Sequence, residues 1–170
     1  MEAGEHDPQR FLDVLNRAVF QNVQRMGSDK NLSLALIDYQ DGRLRLSGQH
    51  ETLLMTRPGQ PVETIDTIDL GFPVGLVEDI SDFVSHTDLI LGVDDVVVLY
   101  SDGIVEAEDV KGEQYGMDRL RASIDVNRCR TAAEIKNAIL NDLLTFIDSH
   151  EIYDDITLIV LKQQEQPVSC

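Results

Sequence analysis

Tryptophan is absent from these 170 residues, and aromatic side chains make up only 5% of them. A core must therefore be built from Leu, Ile and Val. Cysteine is almost absent too. Cys129 and Cys170 form no metal-binding spacing, and so few thiols fit a reduced compartment. No stretch approaches the roughly 20 apolar residues that span a bilayer. The N-terminus, Met1 to Pro8, is acidic where a signal peptide would be apolar. A soluble, cytoplasmic protein is the expectation. Basic residues are scarce as well: 14 Lys and Arg stand against 31 Asp and Glu, for a net charge of −17. That field repels nucleic acid and anionic lipid, and no local basic cluster offsets it, so neither is an expected partner.

What remains is the composition of a folded domain. The hydrophobic fraction is 42%, and the length suits one domain over residues 1–170. Asp7-Pro8 reads as a helix start, with Asp as cap and Pro at the first helical position. Phe11, Leu15, Ala18, Asn22 and Met26 share one face of that helix, widened by Leu12, Val19 and Val23. Alternation at Leu32, Leu34 and Leu36 predicts a strand to Ile37, and Asp41-Gly42 turns it into a hairpin returning through Leu44 and Leu46. Further strands are predicted at Leu53 to Thr56, near Val62 to Ile65, and from Phe83 to Leu91. Val96 to Tyr100 and Ile156 to Leu161 are apolar without alternation, as in strands buried on both faces. Between these two runs lie helices over Met117 to Ile124 and after Thr131-Ala132-Ala133-Glu134, a capping box. Strands early and helices late point to an α+β fold with a sheet covered by helices.

Acidic residues stand at the ends of the two most apolar strands. Asp102-Gly103 follows the first, and Asp154-Asp155 precedes the second. If the strands are neighbours, these carboxylates converge, and oxygen ligands of this kind suit Mg²⁺ or Mn²⁺. Asp-Gly and Asp-Asp are also ordinary turn residues at strand ends, and spacing alone favours that plainer reading.

The ordered motifs go further. Tyr100-Ser101-Asp102-Gly103-Ile104-Val105-Glu106-Ala107, then Gly112-Glu113-Gln114-Tyr115-Gly116-Met117-Asp118-Arg119-Leu120, then Asp154-Asp155-Ile156-Thr157, resemble successive blocks of the bacterial metal-dependent protein phosphatases. These are the type 2C-like enzymes of sporulation and stress-response switches. Leu46-Ser47-Gly48-Gln49-His50-Glu51 is similar to that family's Ala-Gly-His block, and Phe72-Pro73-Val74-Gly75-Leu76 to its Pro-Leu-Gly block. The similarity runs in order over about residues 7–162.

The resemblance implies a β-sandwich flanked by helices, with two Mg²⁺ or Mn²⁺ ions at one end in a complete domain. A water acidified by the ions attacks phosphoserine or phosphothreonine directly. It implies Asp102 and Asp154 as metal ligands, Asp155 as hydrogen-bonding support, and Gly103 as a close-packing position. His50 in a phosphatase invites a general-acid role, but it falls in a block whose expected function is packing, and it is grouped with Asp155 and Gly103 as support for the site. The implied partners are a phosphorylated regulatory protein of the anti-sigma-factor antagonist type and an upstream sensor or response-regulator domain.

One departure stands out. The family's Gly-Asp-x-x-Asp segment, which supplies the carboxylate bridging both ions, does not occur in these residues, and neither does its Gly-His-Gly block. Asp38 and Asp41 belong to the hairpin and do not replace them. The expectation is thus the C-terminal part of a phosphatase domain lacking the N-terminal strands, weakly active or inactive by itself. A non-catalytic, phosphatase-like binding module is the alternative. An uncovered sheet edge or apolar face would favour a homodimer, with the first helix (Phe11, Leu15, Val19) and the Leu32 to Ile37 strand as candidate contacts.

Overall fold

Eleven helices and strands follow one another in the computed structural model, which describes residues 7–148 and 155–165. The order is α1 (Pro8–Met26), β1 (Leu36–Gln40), β2 (Arg43–Ser47), β3 (Leu53–Thr56), β4 (Glu63–Ile65), β5 (His86–Ile90), β6 (Val96–Tyr100), α2 (Asp102–Val105), α3 (Gly116–Asn127), α4 (Ala132–Ile147) and β7 (Leu158–Lys162). Single 3₁₀ turns lie at Ile68–Leu70 and Ser81–Phe83. The chain divides into two compact units. One comprises the described residues of Met1–His50 and Asp66–Ile90, the other those of Glu51–Ile65 and Leu91–Cys170.

In the first unit, Asp7 caps α1 by accepting the Gln9 N–H at 3.0 Å, and Gly27 ends it in the left-handed conformation, φ 58°. The buried face of α1 differs from the one drawn from apolar residues. Leu12 and Asn16 are buried and Leu15 and Val19 pack beside them, whereas Phe11, Ala18, Asn22 and Met26 are exposed. The face turns toward Asn16 because that side chain is fully hydrogen-bonded by the loop at residues 75–78. Leu12 forms a small core with Val74 and Ile80, joined by Leu34, Leu36 and Phe72. Leu15 and Val19, expected to meet a second chain, are thus used inside the unit.

Asp41 and Gly42, both at positive φ, form the two-residue turn between β1 and β2, with Gln40 paired to Arg43. The sheet order is β1-β2-β5, all antiparallel. The predicted strand from Leu32 begins only at Leu36, because the backbone of Leu32 instead exchanges two hydrogen bonds with Val74 and Leu34 N–H donates to Gln49 O. The strand predicted from Phe83 starts at His86. Asp79 accepts from both the N–H and the hydroxyl of Ser81, and this holds residues 81–83 in a tight turn.

The second unit is a four-stranded antiparallel sheet, β4-β3-β6-β7. Leu54, Val96, Val98 and Tyr100 from the sheet join Leu120, Ile124, Ile135, Ile139, Leu143 and Ile147 from α3 and α4 in one core. Val97 and Met55, on the opposite face, are also fully buried, so β6 is covered on both sides as its composition predicts. The equally apolar β7 is different: it is an edge strand, and Ile159 is 49% exposed. The α4 capping box is present, with Thr131 Oγ1 accepting from Glu134 N–H and Glu134 reaching back to Thr131 N–H at 2.9 Å. Two antiparallel sheets with helices thus realise the α+β class.

Candidate metal centre

β6 and β7 pair antiparallel from Val96↔Lys162 to Tyr100↔Leu158, so the end of β6 and the start of β7 lie at one end of the sheet. Asp102 sits there, at the first position of the four-residue helix α2, a turn that the Asp-Gly pair alone did not reveal as helical. Its side chain is exposed, and one carboxylate oxygen accepts the Gly103 N–H at 3.0 Å. Gly103 is buried within the helix. Asp155, also exposed, leads into β7 from the opposing strand. Asp154 lies outside the described residues.

Two residues that sequence reasoning passed over hold this end together. Tyr100 is buried, and its hydroxyl hydrogen-bonds Thr52 Oγ1 at 2.7 Å, joining the last residue of β6 to the segment before β3. Burial raises the Tyr100 phenol above its ordinary value, against the opposing effect of that hydrogen bond, so it stays a neutral hydroxyl. Ser101 is the second. Its backbone N–H donates to Thr157 O at 3.0 Å, its hydroxyl donates to Asp155 O at 2.9 Å, and the same hydroxyl accepts the Thr157 N–H at 2.9 Å. The signal available for it was a Ser standing directly before Asp-Gly at a strand end, a residue type that bonds to nearby backbone.

The donors gathered at this end are carboxylate and carbonyl oxygens, the chemistry that hard divalent cations take. Among the described residues, no three His, Cys, Asp or Glu side chains come together as a cation cage. The described part is therefore of the right chemistry but short of a full ligand set.

His50 belongs to the other unit. Its Nδ1 pairs with Ser33 Oγ at 3.0 Å, its N–H donates to Thr67 Oγ1 at 3.1 Å, and the Thr67 hydroxyl donates back to His50 O. These bonds fix a loop crossing in which Gly48 N–H donates to Leu70 O at 2.8 Å. No described helix is long and apolar enough to cross a membrane.

Solved structures similar in fold to this chain include type 2C (PP2C) phosphatase domains. The SiaA PP2C domain of Pseudomonas aeruginosa superposes with a TM-score of 0.67 at 17% identity, over 91% of this chain and 70% of that one. The catalytic domain of the serine/threonine phosphatase PstP, solved with two manganese ions, gives 0.65 at 16% identity, over 96% and 75%. The phosphatase domain of the cell fate determinant SpoIIE from Bacillus subtilis, presoaked with Mn, gives 0.59 at 16%, over 98% and 71%. The family described as Stage II sporulation protein E (SpoIIE) matches residues 1–164, and the chain belongs to that family of protein phosphatases. A search of curated proteins gives no significant match.

Proposed function

We propose that this chain is the C-terminal part of a metal-dependent phosphatase domain that removes phosphate from phosphoserine or phosphothreonine on a regulatory protein. The protein substrate is of the anti-sigma-factor antagonist type, in a cytoplasmic partner-switching pathway, and an upstream sensor or response-regulator domain governs the activity. The observation that supports this most is the placement of Asp102 at the end of β6 beside the start of β7, where Asp155 leads in. Asp102 and Asp154 are the proposed ligands for Mg²⁺ or Mn²⁺, with Asp155 and Gly103 shaping the backbone around them and His50 holding its loop. Such a cation supplies a Lewis acid and a water acidified toward neutrality. The chain's own part is to offer the Asp102 carboxylate at the turn after β6, beside the segment that leads into β7.

The Gly-Asp-x-x-Asp carboxylate does not occur among these residues, so the chain alone is expected to show little turnover. The test is hydrolysis of a phosphoserine peptide and an aryl phosphate with Mn²⁺, by this chain and by the full-length protein carrying it. Turnover in the full-length protein, abolished by Asp102→Ala, supports the assignment. No Asp102-dependent turnover, with retained binding of a phosphoprotein, would establish the non-catalytic binding module instead. A homodimer stays among the proposed partners: Phe11, Leu32 and Ile37 of the expected contact surface are exposed.

A further inference from the structure

Ser101 occupies the N-cap position of α2 with an extended backbone, φ −92° and ψ 159°. A serine there ordinarily turns its hydroxyl onto an N–H of the first helical turn. Ser101 makes no such bond. Its carbonyl is already committed to the helix, accepting the Ile104 N–H at 3.1 Å. This leaves the strand ladder with a problem. Beyond the Tyr100↔Leu158 pair, Ser101 and Thr157 stand opposite each other, and Ser101 N–H donates to Thr157 O as a ladder requires. The return bond of such a pair runs from Thr157 N–H to the Ser101 carbonyl. Here it runs to the Ser101 hydroxyl, which in turn donates a hydrogen bond to the Asp155 carbonyl. One side chain stands in for the missing ladder acceptor and also secures the residue two positions earlier.

Resting on the assignment of Asp102 as a cation ligand, we propose that Ser101 is a positioning residue for the metal centre. Its hydroxyl locks the Asp155–Thr157 segment against the turn that carries Asp102, and so fixes the spacing at which oxygens from the two segments are presented. Groups that orient metal ligands in this way typically contribute about 10- to 100-fold in metal affinity. Tyr100, through Thr52, ties the other side of the same strand end to the segment before β3.

Amide NMR spectra of the isotope-labelled chain, titrated with Mn²⁺, separate this local effect from diffuse binding to an acidic surface. In the wild type the Gly103 and Thr157 signals should broaden first, and Asp102→Ala should spare them. Ser101→Ala should require about tenfold more Mn²⁺ for the same broadening and should speed exchange of the Thr157 amide proton. Ser101→Thr, which keeps the hydroxyl, should restore both. Should Ser101→Ala fail to fold, Ser101→Cys, whose thiol is a weak donor and acceptor, takes its place with the same two readouts. Faster Thr157 exchange with an unchanged Mn²⁺ response would overturn the positioning role and leave the Asp102 assignment standing. Broadening that is the same in the wild type and Asp102→Ala would remove that assignment, and the positioning role with it.

Discussion

Asn16 Oδ1 accepts the Gly75 N–H at 2.8 Å, from a side chain with no solvent exposure. Its Nδ2 donates to the carbonyls of Val77 and Glu78, each at 3.1 Å, so one buried amide satisfies three backbone groups of a loop about 60 residues away. Asn16→Ala leaves the buried Gly75 N–H without its acceptor and removes the donor to two part-buried carbonyls. Leaving a buried polar group unpaired costs about 1–3 kcal/mol. A loss of about 3 kcal/mol is therefore expected, read from the urea midpoint at unchanged m-value. A loss below about 1 kcal/mol would show that water reaches the loop and replaces the amide.

The loop crossing beside His50 makes a second, purely steric prediction. A Cβ on Gly71 would lie 2.6 Å from Gln49 N and 2.7 Å from Gly48 Cα. Both are backbone atoms and have no rotamer with which to retreat. Gly71→Ala is expected to lower stability by about 1–3 kcal/mol, the range for overpacking, measured by thermal melting. An unchanged midpoint would mean that the crossing gives way with little strain.

Much of this architecture was legible because local chemistry and tertiary need agreed. Asp41-Gly42 fitted the tight hairpin, Thr131 with Glu134 fitted the capping box, and Val96 to Tyr100 was buried on both faces. The failures share a cause: what decided them was a partner distant in sequence. A count of apolar residues gave Asn16 no weight, so the buried face of α1 was drawn too far toward Phe11 and Met26. Composition could not distinguish β6 from β7, because a strand's place in the sheet order is set by pairing. The ordered motifs drew attention to Asp102, and its place after β6 follows from the apolar run before it. The Ser101 hydroxyl was not, since its role arises only where the α2 turn and the β7 ladder compete for one carbonyl.

The last expectation concerns alkaline pH. Tyr115 is buried beside α4, where its hydroxyl donates to Asp142 Oδ2 at 2.7 Å. Arg119 bonds the same carboxylate through Nε at 3.2 Å and lies 4.7 Å from the centre of the Phe146 ring. Burial, reinforced by the hydrogen bond to Asp142 and by that residue's charge, raises the Tyr115 phenol well above its ordinary value of 10.0. The neutral form is thus favoured in the folded chain. The resulting stability is fully present below about pH 10, where the unfolded chain's phenol is still protonated, and is lost as pH rises toward the folded-state value. Tyr115→Phe removes this titration together with the hydroxyl's hydrogen bond. The variant should be less stable at pH 7 by about 1 kcal/mol. The gap should narrow as pH rises above about 10, because only the wild type has a Tyr115 phenol to lose a proton on unfolding. Tyr100 is unchanged in both proteins and contributes equally to each curve. Melting temperatures across the alkaline range decide the matter: curves that converge support the buried, protonated phenol, and curves that stay parallel would show that Tyr115 titrates alike in both states.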